Sequence, residues 1–122
     1  MMPLNDLTPQ AYAVHLAQQM LRKQLSCFEG AVRMAPLRHD IEGVDAMDED
    51  FLAFVLISSE TDHLPLKAHQ HLWNPESLAQ LLPEIEHVEI WASPFATQAC
   101  ENIIQRFSSS IVADGTKKPD QN

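Results

Sequence analysis

Asp48-Glu49-Asp50-Phe51-Leu52-Ala53-Phe54-Val55-Leu56-Ile57-Ser58-Ser59 is the stretch on which the fold class turns. Phe51, Phe54, Val55 and Ser58 stand at i, i+3, i+4 and i+7, the repeat of one helix face. Leu52, Leu56 and Ser59 cover the opposite side, so the element is apolar almost all round and is expected to be central and buried. A short apolar run such as Phe51 to Ile57 can also be a buried strand, and period alone does not separate the two. The preceding acids decide for helix. Asp48 is a helix cap, and Glu49 and Asp50 put negative charge in the first turn, where the positive end of the helix macrodipole lies. An all-α, four-helix bundle-like domain follows; the alternative is an α+β fold with residues 51–57 as a strand.

Upstream, Thr8 is an N-cap and Pro9 occupies the first helical position, where its missing N–H costs nothing. Leu16, Met20, Cys27, Ala31 and Met34 then follow near-helical spacing, and Leu21, Leu25, Phe28 and Val32 widen the stripe. Pro36 stops the pattern near Ala35, which predicts one helix of about 27 residues, or ~40 Å. Gly30 is its weak point. Downstream, Asn74 caps a helix with Pro75 at its first position and Glu76 beside the dipole, and Trp73 is placed to staple onto Leu78. Leu78, Leu81, Leu82, Ile85 and Val88 form the expected buried stripe. Glu84, Glu86 and Glu89, with His87 beside them, read as its solvated face. Pro83 predicts a kink or two short helices. Ser93-Pro94 repeats the cap-plus-proline signal and is expected to open a fourth helix with the face Ala96, Ala99, Cys100, Ile103, Ile104 and Phe107. Residues 1–112 are expected to be a single helical domain and 113–122 a disordered polar tail.

At 122 residues, with 45% hydrophobic and 20% charged side chains, the chain can close one core. No apolar run approaches the ~18 to 20 residues that span a bilayer. The opening residues carry neither a basic nor an apolar signal region, so a cytoplasmic location is expected. Acids outnumber bases 17 to 8, for a net charge of −9. That balance repels phosphate backbones and anionic membranes, and it favours a basic partner. Asp40, Glu42, Asp45, Asp48, Glu49 and Asp50 crowd together with no Lys or Arg among them. They form either a solvated loop or an electrostatic docking surface.

Two Glu-x-x-His motifs, Glu60-Thr61-Asp62-His63 and Glu84-Ile85-Glu86-His87, suggest metal chemistry. The spacing puts a carboxylate and an imidazole on one helix face, as in bundles that hold two metal ions. Glu29 and Glu101 would complete the ligand count. The depths oppose it: the ligands would spread over more than ~10 Å of an up-down bundle, whereas paired metals sit about 3.5–4 Å apart. The order opposes it too, since the two motif-bearing helices are adjacent in sequence. A second cluster, Asp62, His63, His69 and His71, has the residue types of a zinc site without a recognisable spacing. The metal alternative therefore comprises Glu60, Asp62, His63, His69, His71, Glu84 and His87, with zinc, iron or manganese as the ion. A serine hydrolase using Ser58 or Ser59 lacks a glycine-rich nucleophile turn. Cys27 and Cys100 fall in apolar segments and read as buried free thiols.

The expected function is a small acidic protein that binds another protein, or itself as a homodimer, in a regulatory or antagonist role. Its expected contact residues are Asp40, Glu42, Asp45, Asp48, Glu49, Asp50 and Trp73, with Trp91 as a supplement if exposed.

Overall fold

The computed structural model describes residues 8–111, with side chains to residue 108. Residues 113–122 lie outside that range. Helix α1 spans Pro9–Leu21, α2 Cys27–Met34, α3 Glu49–Glu60 and α4 Pro75–Ile111; 3₁₀ segments at Ala35–His39 and Lys67–Leu72 follow α2 and α3. No strand occurs among the described residues, so 51–57 is helix and the all-α reading holds. The Asp48 carboxylate accepts from the Asp50 amide at 3.0 Å, the capping that the acidic run implied.

The long first helix does not form; it breaks at residues 22–26 into α1 and α2. Gln24 N–H reaches back to the Gln19 carbonyl at 2.9 Å, and Lys23 N–H reaches the Met20 carbonyl at 3.1 Å. Those two bonds are the Schellman termination, and it needs a left-handed residue, here Lys23 at φ 62°. Glycine is the usual residue for that position, so a lysine there gave no stop signal. Ser26 then restarts the helix, its Oγ accepting from the Glu29 amide at 3.0 Å. Ser26-x-x-Glu29 is a capping-box spacing that marks this start in the sequence. Gly30 is not the weak point. It lets α2 approach α1, since a Cβ there would run into the Met20 side chain.

Helices three and four of the sequence reading are one element. α4 runs for 37 residues, ~55 Å, straight through Pro83 and Pro94. Each proline removes a donor from the carbonyl four residues earlier. Those carbonyls belong to Ala79 and Ile90, both on exposed residues, where water can take the missing donor's place. Eleven residues is about three turns, so both rings fall on one side of the helix, and both are exposed. A proline on the solvent side bends a helix around the core instead of ending it.

α1 packs chiefly against α4, and α2 and α3 pack on each other and on α4. Phe51, Phe54 and Ile57 of α3 meet Leu16 and Met20 of α1, Met34 of α2, and Cys100 and Ile103 of α4 in one buried cluster. α3 is not buried all round, because Leu56 is exposed. Among the described helices none is long and apolar enough to cross a membrane.

Candidate functional site

The uncovered half of α4 is the largest departure from what its sequence predicts. Ala92, Ala96, Ala99, Cys100, Ile103 and Phe107 are buried along its second half. Leu78, Leu81, Leu82, Ile85 and Val88 continue that stripe toward the start, yet none of them is buried. Leu82 is 48% exposed. Beside the helix start, Leu72 is 73% exposed and Trp73 is partly exposed; further along, Ile90 is 68% exposed. Trp91 is also exposed and makes an edge-on contact with Phe95 at 4.9 Å between ring centres. The Asn74 cap forms as expected, its Oδ1 accepting from the Glu76 amide at 2.8 Å.

Two acids of the supposed solvated face have structural partners. The Glu89 carboxylate accepts from the Cys27 amide at 2.7 Å and the Phe28 amide at 3.3 Å. Ser26 accepts from the next two amides, through Oγ from Glu29 and through its carbonyl from Gly30 at 2.8 Å. The three amides of the first turn of α2 that lack a helical partner are thereby satisfied, with a carboxylate on the positive end of the dipole. Glu84 pairs with His63, Nε2 to Oε2 at 2.6 Å, with both side chains about half exposed. The two Glu-x-x-His motifs therefore meet across motifs, His63 of the first with Glu84 of the second.

The remaining members of the metal set do not converge. Glu60, His71 and His87 are exposed, and among the described residues no group of three or more His, Cys, Asp or Glu side chains is placed to hold a metal ion. Asp62, His63 and His69 do share an open pocket of about 440 Å³ with Trp73, floored by Phe28 and Leu64. Thr61, at its edge, is buried and donates to the Ile57 carbonyl at 2.7 Å, closing the end of α3. Glu29 accepts from the Lys67 amide at 2.6 Å and stands 3.9 Å from Arg33.

The acidic stretch divides in two. Asp40, Glu42, Asp45 and Glu49 are exposed. Asp48 and Asp50 face inward, where Arg106 binds both, at 2.8 and 2.9 Å to Asp48 and 2.9 Å to Asp50. Asn102 adds a 2.9 Å bond to Asp50. Hydrogen bonds from Arg106 hold the Asp48 carboxyl below its usual range, and the same pair raises the guanidinium. These two carboxylates fasten α3 to α4.

Cys27 and Cys100 are free and buried. Burial pushes both thiols up to about 12, and Glu89 adds to the effect at Cys27. Neither sulfur carries the thiolate that nucleophilic chemistry needs near neutral pH.

Compared with known proteins, the chain matches no family model, no curated protein and no solved structure. Periodicity alone had placed Leu78 to Val88 in the core. Glu89 carried no local signal, because its partners lie more than sixty residues away in sequence.

Proposed function

We propose that this protein works by binding another protein chain, and that the first half of α4 is its contact surface. One observation carries the reading: an apolar stripe at regular helical spacing, continuous with the core stripe of the same helix, has no buried member. Leu82 is exposed and the other four are half-buried; contiguous apolar surface left open to solvent marks an interaction site. Trp73 and the pocket beside it supply the concave, aromatic setting in which interface energy concentrates. Asp40, Glu42, Asp45 and Glu49 supply negative charge that steers a partner, while Asp48 and Asp50 are spent on Arg106. A regulatory or antagonist role is the functional form that this surface supports, since the buried, high-pKa thiols and the dispersed histidines supply no reactive set.

A photo-reactive side chain placed at position 82, in the protein's own cells, tests the reading. The expected result is a discrete covalent adduct with one protein, absent when the probe sits at position 42. If position 82 yields no adduct in a folded protein, the contact surface is elsewhere and the reading falls.

A further inference from the structure

The protein-binding reading leaves the chemistry of the partner open, and the charge around the uncovered stripe narrows it. Between Lys67 and Arg106 the chain contains no Lys or Arg, while Glu76, Glu84, Glu86, Glu89 and Glu101 fall in that interval. At about 100° per residue, Glu84 and Glu86 lie on opposite flanks of the Leu78–Val88 stripe. Glu86 is exposed, and Glu84, about half exposed, carries the His63 imidazole at 2.6 Å. The surface is thus an apolar track with an acidic rim on both sides.

We propose that the uncovered half of α4 docks a basic amphipathic helix of another protein. This rests on the protein-binding reading above and specifies the occupant. A second copy of the chain is the poorer fit. It would bring Glu84 and Glu86 against the same residues with no Lys or Arg in the segment to offset them, and like charges across an interface are costly. A helix with Leu-type residues at i, i+3, i+4 and i+7 and lysines or arginines on its flanks meets both features at once. The track also has a wall. Ile85 shares a cavity of about 560 Å³ with Leu25 of the turn between α1 and α2, with Phe28 of α2 and with Ala68 of the second 3₁₀ segment. Apolar side chains of a docked helix gain a second surface there. The basic groups at that cavity are Arg33 and Lys67; the Arg33 charge lies against Glu29.

The test uses two synthetic amphipathic helices of about five turns, identical in their leucines, one with lysine and one with glutamate at every polar position. Binding is read by fluorescence anisotropy at low and moderate salt, alongside light scattering of the protein alone. The expected result is a monomer that binds the lysine peptide at least ~10-fold more tightly than the glutamate peptide, with affinity falling as salt rises. The decisive variant is Leu78→Glu/Leu82→Glu, with Leu82→Glu alone as the milder form because that side chain is already exposed. Both add negative charge, so plain attraction of a cationic peptide to an acidic protein would strengthen. Docking on the track predicts a loss of ~10-fold or more, with the urea midpoint unchanged for Leu82→Glu.

Four outcomes overturn the proposal. Lysine-peptide binding that persists or tightens in Leu82→Glu places the contact elsewhere on the acidic surface. Equal binding of both peptides removes the charge selection and leaves the protein-binding reading standing. A wild-type dimer that Leu82→Glu dissociates names a second copy as the occupant. If neither peptide binds, the basic-helix proposal falls, and the adduct at position 82 decides separately whether the broader reading survives.

Discussion

The two halves of α4 share one helix, one direction and one apolar repeat, and they differ in what lies against them. Residues 92–107 press on α1, α2 and α3 and are closed to solvent at Ala92, Ala96, Cys100 and Ile103. Residues 78–88 carry larger apolar side chains at the same spacing and remain partly open. The small residues of the second half are themselves the reason for its closeness. Alanines let the neighbouring helices approach, whereas the leucines of the first half stay partly open to solvent. An apolar face states a demand for cover; it does not state whether the same chain meets that demand.

Mutations in the two halves should therefore differ most. Ile103→Ala, in the closed half, is expected to cost about 2–5 kcal/mol by deleting fully buried atoms and leaving a cavity. Urea unfolding measures it, and a loss under 1 kcal/mol would mean that the closed half is loosely packed. Glu89→Ala acts at the junction of the halves. It strips two amides at the start of α2 of their carboxylate and is expected to cost about 1–3 kcal/mol. Hydrogen exchange at Cys27 and Phe28 should rise with it, and unchanged protection there would detach Glu89 from that role.

Arg106→Met is expected to cost less, about 1 kcal/mol, because the ion pairs lie partly in water. Its clearest mark is in pH dependence. Asp48 is held below its ordinary value of 3.8 by Arg106. That contribution is complete above the ordinary value and fades as pH falls through the lowered one. The wild-type protein should therefore lose stability across this acid range more steeply than Arg106→Met; parallel curves would contradict the pairing. Smallest in the open half is Leu82→Glu, with a stability change within about 0.5 kcal/mol while binding is lost. A large destabilisation there would erase the contrast between the halves.

Some elements were legible because their signals are local. Thr8-Pro9, Asp48-Glu49-Asp50 and Asn74-Pro75 each cap a helix through atoms two or three residues away, and all three caps form. The stop at Lys23 was not legible, because its left-handed backbone occurs at a residue type that rarely adopts it. Ser26-x-x-Glu29 was the available signal, masked by an apolar stripe that runs unbroken across the turn. Pro83 and Pro94 misled in the opposite direction. Proline ends a helix when the freed carbonyl is left without a donor, and exposure at Ala79 and Ile90 removes that penalty. At the candidate site, the acids of the 40–50 stretch were visible as a group, but the inward turn of Asp48 and Asp50 depended on Arg106, fifty-odd residues on.

The amino-acid sequence by itself determined that this chain is helical, where most of its helices begin, and that it carries a net charge of −9. Those properties follow from hydrogen bonds within a turn, from spacing along one strand of chain, and from summed charge. Only the tertiary structure decided that α1 and α2 are separate, that α4 is single, which carboxylates are committed inside the molecule, and which half of an apolar stripe is left open. Each of those outcomes depends on what a distant segment places against a residue, and no local pattern carries that information.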